Sequence, residues 1–109
     1  MSQEIDLGED HVLRFTQWKP DRDLNPQYAH LSDVDRLGAV VRHKTPDGGD
    51  CMSGIYFDTP ETKRVIAEAF PDRSTWTVES WDPLTISPSL LCRACGDHGF
   101  IREGKWVKV

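Results

Sequence analysis

The sequence lacks the features that define several large classes of protein. Its 109 residues are too few for separate cofactor and substrate domains, or for a barrel of eight βα units. No window approaches the roughly 18 apolar residues that cross a membrane, and the chain does not open with a basic segment followed by an apolar one. We therefore expect a cytoplasmic protein that does not bind a membrane.

Positive charge and cysteine are both scarce. The chain has 13 lysine and arginine residues against 18 aspartate and glutamate residues, which gives a net charge of −5. Because binding to a phosphate backbone requires a basic surface, we expect no nucleic-acid partner. The three cysteines are an odd number in a reducing compartment. A disulfide framework is therefore disfavoured, and clustered cysteines favour metal ligands or a reactive site.

The hydropathy pattern predicts an α+β fold. Residues 1–10 contain four carboxylates and no base, which predicts an acidic tail, and residues 11–109 have the length of a single domain. Residues 19–35 read as a long irregular connection. Alternating apolar and polar residues predict strands within residues 11–18, 37–44, 51–57, 74–81, 84–86 and 99–106.

Residues 59–70 predict the one helix of the fold. Thr59 is a suitable N-cap, Pro60 suits the first helical position, and Pro71 marks the end. The residues with the spacing of one helix face are Thr62, Val65, Ile66, Ala69 and Phe70. The expected architecture is a small, mostly antiparallel sheet covered by this helix, with a zinc-knuckle-like turn and a hairpin in the C-terminal part.

Residues 91–99 carry the clearest chemical signal. Cys92 and Cys95 have the spacing at which two thiolates bind one tetrahedral ion from a tight turn, and Gly96 permits the positive φ that such a turn needs. His98 follows as a third ligand. Thiolate and imidazole together favour zinc over magnesium or calcium, so the pattern predicts a zinc site.

A closed structural site needs a fourth ligand. Cys51, the remaining cysteine, is the first candidate, and His43 on the preceding predicted strand is the alternative. A structural zinc contributes on the order of 10 kcal/mol to folding, which matters for a domain with a small core. Catalytic zinc of the deaminase or zincin type is excluded, because the chain contains no His-x-Glu and no His-Glu-x-x-His.

Ser89 lies nine residues before His98 and is a candidate nucleophile, with His98 as its base. Asp97 or Asp82 is the candidate that orients the imidazole. The alternative is a serine that only caps or is solvated before a turn. A His98 bound to zinc cannot act as a general base through the same ring nitrogen, so its two predicted roles exclude each other.

Part of the C-terminal region resembles a known family. Residues 84–90 (LTISPSL), the pattern Cys95-x-x-His98-Gly-Phe-Ile and a turn glycine at position 104 resemble the C-terminal signature of a bacterial and phage family formerly of unknown function. The family is related to BubE, the peptidase-like component of bacterial ubiquitination-like (Bub) operons. The resemblance covers residues 74–106, about a third of the chain.

The resemblance implies a deubiquitinase-like peptidase that trims or releases a ubiquitin-like protein, with Ser89, Cys95 and His98 at the matching positions. Many relatives carry a mid-chain run rich in cysteine, histidine and glycine, of which only His43 and Cys51 have counterparts here. A short member of this kind indicates a phage-encoded protein in the host cytoplasm. The alternative is a non-enzymatic zinc-binding module that binds another protein, such as a host protein.

Overall fold

The computed structural model describes residues 4–109, which form eight strands, one α-helix and one short 3₁₀ turn. The strands are β1 (Glu4–Gly8), β2 (His11–Trp18), β3 (Val34–Lys44), β4 (Asp50–Phe57), β5 (Thr75–Trp81), β6 (Leu84–Leu91), β7 (His98–Arg102) and β8 (Lys105–Lys108). Helix α1 spans Pro60–Ala69, and the 3₁₀ turn at Pro26–Tyr28 lies between β2 and β3. No helix in this part of the chain is long and apolar enough to cross a membrane.

All eight strands form one sheet, in which the spatial order follows the chain order. Neighbouring strands are antiparallel except β4 and β5, which run parallel and are connected through α1. Among the described residues the two edge strands, β1 and β8, contact each other without pairing, so the sheet is nearly closed. The prediction of a mostly antiparallel sheet with one helix is confirmed, although the sheet is larger than expected.

The N-terminal segment differs from the expected acidic tail. Residues 1–3 lie outside the described residues, but Glu4–Gly8 forms β1, and its Leu7 is buried in the core. Only Ile5 and Leu7 carry the alternating pattern of a strand, and they stand among four carboxylates. The acidic composition of residues 1–10 therefore hides a strand that forms one edge of the sheet.

Helix α1 packs against β3 and β4. It begins at Pro60 after the N-cap residue Thr59, as predicted, and the Thr59 hydroxyl donates to that of Thr62. Thr62 and Val65 of the predicted apolar stripe are buried. Val65 packs in a cluster with Trp18, Leu31, Val34 and Leu37. The helix therefore protects β3 and the connection that leads into it.

The larger core fills the inner face of the nearly closed sheet. It consists of Leu7, Leu13, Ala39, Val41, Ile55, Phe57, Leu84, Ile86, Leu90, Ile101 and Trp106. Seven of the eight strands contribute to this list, and β5 packs Trp76 and Val78 against it. Because residues from both edge strands belong to one cluster, burial of apolar surface draws the two edges together.

The directions of the strands bring several turns to one end of the sheet. The pairing makes β1, β3, β6 and β8 run towards this end. The β1–β2 turn, the β3–β4 turn, residues 92–97 and the last residues of β8 therefore gather there. We call this end of the sheet the turn end, and all the candidate functional residues described below lie at or near it.

Candidate metal centre

Residues 92–97 form a tight turn between β6 and β7. The backbone N–H of Cys92 donates to the Asp97 carbonyl, and the N–H of Gly96 donates to the Cys92 carbonyl, both at 2.7 Å. Gly96 has a φ of +81°, the left-handed conformation that the sequence predicts at this position. The turn thus directs the thiols of Cys92 and Cys95 to one side.

The β3–β4 hairpin brings two further candidate ligands to the same place. His43 and Cys51 are directly opposite each other in the antiparallel pair. The ligand atoms of His43, Cys51, Cys92 and Cys95 all lie within 4.8 Å of one another, with His43 Nε2 3.2 Å from Cys95 Sγ and Cys51 Sγ 3.5 Å from Cys92 Sγ. A tetrahedral zinc with Zn–S bonds near 2.3 Å separates its sulfur ligands by about 3.8 Å. The four residues therefore have the size of a tetrahedral metal site.

The His43 ring is oriented for a ligand role. It is almost fully buried, and Nδ1 lies 3.3 Å from the Val41 carbonyl. With the proton on Nδ1, this N–H donates to the carbonyl and leaves the Nε2 lone pair directed at the cysteines. Such a hydrogen bond from the second nitrogen fixes the ring and the tautomer of histidine ligands in metal sites.

The thiols of Cys51 and Cys92 differ in their tendency to ionise. Burial raises the pKa of Cys92, but hydrogen bonds from the Cys51 thiol and from the backbone N–H groups of Cys95 and Ala94 outweigh it and lower this pKa to about 7. The hydrogen bond to Cys92 is the main reason that the pKa of Cys51 rises to about 11. Donors directed at one sulfur stabilise a thiolate, which is the form that binds metal.

His98 lies apart from the four clustered ligands. It is the first residue of β7, opposite Leu91 in the ladder. This differs from the expectation that His98 is the third ligand, and His43, the alternative, lies with the three cysteines instead. The spacing of the cysteine and histidine residues cannot reveal whether His98 still belongs to the turn or begins the next strand. Here the strand pairing directs His98 elsewhere.

Ser89 and His98 are brought into contact. Ser89 lies within β6, which continues beyond the predicted strand at residues 84–86. The pairing of β6 with β7 shifts register between Ile86 and Leu90, and irregularities of this kind re-aim side chains. Ser89 Oγ is 2.8 Å from His98 Nε2. With His43 at the metal ligands, His98 Nε2 is available to the serine.

Neither of the two aspartates that were expected to orient the His98 imidazole contacts it. The Asp97 carboxylate is 2.6 Å from His11 Nε2, and the His98 ring makes no hydrogen bond to Asp97, to Asp82 or to any other described residue except Ser89. The two residues are therefore a dyad rather than a triad. A lone histidine can still accept the serine proton when the geometry is suitable.

His11 is a buried residue of the site that the sequence analysis did not identify. Its Nδ1 is 2.6 Å from the Glu9 carbonyl, and its Nε2 is 2.6 Å from Asp97 Oδ2. Its ring stacks on Trp106 at 4.1 Å and faces His43 at 5.3 Å. The separation of 86 residues between His11 and Asp97 left no local signal of this pair.

A cleft of about 480 Å³ opens at the turn end. One wall is the β1–β2 turn with Glu9 and Asp10, and another is the end of β8 with Lys108. Cys95 and His98 also line the cleft. The volume lies in the range of small-ligand sites. Cys95, a candidate metal ligand, and His98, the candidate base, therefore lie on one concave surface.

Comparison with family models, curated proteins and solved structures finds no match for the chain.

Proposed function

We propose that this chain is a small serine hydrolase of the peptidase class, in which Ser89 is the nucleophile and His98 the general base. The observation that carries the proposal is the 2.8 Å contact between Ser89 Oγ and His98 Nε2, next to a cleft that His98 lines. A nucleophile and a base within hydrogen-bond reach are the minimum arrangement for acyl transfer. Both residues were also selected from the sequence.

The chemistry of the dyad follows from the positions of its protons. Ser89 Oγ attacks the carbonyl carbon of the scissile bond while His98 Nε2 accepts the hydroxyl proton. The same proton passes to the leaving amine, which departs and leaves an ester on Ser89. Water then attacks this ester, His98 accepts the water proton and returns it to Ser89, and the carboxylic acid is released. No carboxylate is needed for the proton balance of these steps.

We also propose that His43, Cys51, Cys92 and Cys95 bind a structural zinc ion. Thiolate and imidazole are ligands that zinc prefers, and four protein ligands leave no position for a reacting water. The ion would link the β3–β4 hairpin to residues 92–97, the turn that separates Ser89 from His98. Its contribution is then to hold the dyad in place rather than to take part in the reaction.

Metal analysis of variants tests the zinc site. The purified protein is expected to contain one equivalent of zinc, and His43→Gln is expected to lose it. His98→Gln is the matched control, because its ring lies outside the cluster, and it should retain the metal. Zinc retained by His43→Gln but lost from His98→Gln would overturn the assignment of ligands.

The substrate class comes from the resemblance to the Bub-associated family. On this basis the proposed substrate is a protein fused to the tail of a ubiquitin-like protein, which the enzyme would trim or release. The protein would then act in the cytoplasm of a bacterial host, with a phage as the source of its gene. The resemblance also matches Ser89 and His98 to the family signature.

Cleavage of a ubiquitin-like fusion tests the hydrolase proposal. Ser89→Ala is expected to reduce the rate by 10³-fold or more, on the order of the effect of removing a catalytic serine. Ser87→Ala is the matched control, because it removes a half-buried hydroxyl from the same strand, and it should retain activity. Equal rates for the wild type and Ser89→Ala would eliminate the serine mechanism.

The second candidate function is a non-enzymatic zinc-binding module that binds another protein. The specific observation in its favour is that the His98 ring has no carboxylate partner among the described residues, while the four metal ligands form a complete set. This function predicts full zinc content, dependence of the fold on zinc, and no cleavage of fusion substrates by the wild type.

A further inference from the structure

Strands β6, β7 and β8 carry the candidate dyad on the face that points away from the larger core. Leu90, Ile101 and Trp106 of these strands belong to that core. Because side chains alternate between the two faces of a strand, the neighbours of these residues point to the opposite side. We call this side the outer face of β6–β8. Its residues are Ser89, Leu91, His98, Phe100, Arg102, Lys105, Val107 and Val109.

The apolar side chains of this outer face are open to solvent. Leu91, Val107 and Val109 are 53%, 42% and 65% exposed, and they are half of the six large hydrophobic residues that are exposed within residues 4–109. Leu91 is opposite His98 in the ladder, and Val107 is opposite the half-buried Phe100. Exposed apolar residues that are grouped in this way, rather than scattered singly, mark a binding surface.

The position of the dyad determines what covers this surface during the proposed reaction. The scissile carbonyl must come within bonding distance of Ser89 Oγ, which lies 2.8 Å from His98 Nε2 on the same face. The substrate residues on either side of the scissile bond then lie against the neighbouring strands. Burial of the exposed apolar residues there is favourable when the substrate residues are apolar too.

The end of the outer face that is farther from the dyad is positively charged. Arg102 and Lys105 are opposite each other, and neither takes part in an ion pair within the part of the chain that the structure describes. Arg102 Cζ lies 4.3 Å from the centre of the Phe100 ring, so the charge adjoins the apolar residues. Glu103 in the turn offsets only one of the two charges. A negative charge on the bound segment therefore complements this end.

We propose that the outer face of β6–β8 recognises an extended substrate segment with apolar residues beside the scissile bond and an acidic residue about four positions away. The inference rests on the proposed function, because Ser89 defines where the scissile bond lies. The spacing follows from β7, in which Arg102 comes four residues after His98, roughly 13 Å along the strand. Apolar side chains at alternate positions of the segment cover Leu91 and its apolar neighbours, and the acidic residue faces Arg102.

The binding test uses the inactive Ser89→Ala protein and short fluorescent peptides with leucine at alternate positions. Two versions carry glutamate near the amino or the carboxyl end, which covers both directions of binding. Leu91→Ala is expected to weaken binding of the better version about fivefold, because it removes apolar surface that the peptide buries. Leu24→Ala is the matched control, because it makes the same change at an exposed leucine between β2 and β3, and it should bind within about twofold of Ser89→Ala alone.

A change of charge on both partners gives a second test. Lysine replaces glutamate in the peptide, and Arg102→Glu is combined with Lys105→Glu in the protein. The Ser89→Ala protein is expected to bind the glutamate peptide about fivefold more tightly than the lysine peptide, and the charge-reversed protein should show the opposite order. Lys63→Glu combined with Arg64→Glu makes the same change of charge at exposed positions of α1 and should keep the original order.

The outcomes separate this inference from the hydrolase proposal. No binding of either glutamate peptide, equal weakening by Leu91→Ala and Leu24→Ala, or a preference for glutamate that survives the charge reversal would each overturn the recognition surface while leaving the Ser89 test intact. Conversely, unchanged cleavage by Ser89→Ala would remove the serine mechanism without altering the peptide affinities.

Discussion

Gly99 determines where the Trp106 ring lies. A Cβ atom at Gly99 would be 2.5 Å from the indole, a distance that side chains do not tolerate. The indole in turn stacks on His11, and His11 is hydrogen-bonded to Asp97 in the turn that carries two of the candidate metal ligands. The absence of one methyl group in β7 therefore permits a stack of rings that supports the candidate metal centre.

Replacement of Gly99 tests this packing. Gly99→Ala is expected to lower the free energy of unfolding by about 1–3 kcal/mol, as overpacking of a buried position does. Gly54→Ala is the matched control, because the nearest atom to its Cβ is the Ala39 carbonyl oxygen at 4.0 Å. Denaturant unfolding followed by tryptophan fluorescence measures both. Equal losses in the two variants would contradict a specific clash with Trp106.

Helix α1 and the turn end are separate parts of the fold. Val65 of α1 packs in the smaller cluster with Trp18, Leu31, Val34 and Leu37, which shares no residue with the larger core. No residue of α1 belongs to the candidate metal centre or lines the cleft. The helix therefore contributes stability without shaping the site.

Truncation of Val65 tests whether helix α1 contributes to stability without affecting the candidate metal centre. Val65→Ala is expected to cost about 2 kcal/mol, from two lost methyl groups and a residual cavity. Its metal content should equal that of the wild type. Arg64→Ala changes an exposed neighbour and should stay within about 0.5 kcal/mol. Loss of metal from Val65→Ala at temperatures where it remains folded would show that the helix and the site are coupled.

The strands illustrate what the sequence could predict. Regular alternation predicted His11–Trp18 with the bounds that the structure has, and capping residues predicted the start of α1. Local patterns carry such information because they reflect the geometry of one element. β1 was missed because two apolar residues among carboxylates give too weak an alternation.

Much of the site was predictable from residue type and spacing. The spacing of Cys92 and Cys95 identified one half of the cluster, Cys51 was selected as the remaining cysteine, and the serine and histidine of the dyad were both selected. The choice between His43 and His98 as ligand depends on where β7 begins, and the contact of His11 with Asp97 depends on strands far apart in the chain. These contacts depend on how the nearly closed sheet brings distant strands together, and no local motif encodes them.

Unfolding of the entire domain is linked to the protons of its thiols. The folded-state pKa of Cys92, about 7, lies below its ordinary value of 9.0. Its thiolate therefore adds stability that is fully present above pH 9.0 and is lost as the pH falls to about 7. A bound zinc ion would deprotonate all three thiols in the folded state and so enlarge the same dependence.

Melting temperatures across this range test the linkage. The metal-free protein is expected to become more stable as the pH rises from about 7 to 9, and the zinc-loaded protein should show a steeper rise. Cys92→Ala should flatten the curve of melting temperature against pH for the metal-free protein. This variant removes the thiol that binds a proton less readily in the folded state than in the unfolded state. Thermal unfolding with and without a chelator measures all three curves, and stability that falls with pH in the metal-free wild type would contradict this assignment.

The four residues of the candidate metal centre come from distant parts of the chain, with Cys51 and Cys92 41 residues apart and His43 and Cys95 52 apart. During synthesis, the β3–β4 hairpin leaves the ribosome with only two of the candidate ligands, too few to hold a metal ion firmly. The remaining two follow after α1, β5 and β6 have been made. Capture of an ion would therefore be a late event in the maturation of the nascent protein, completed when most of the sheet is already available to fold.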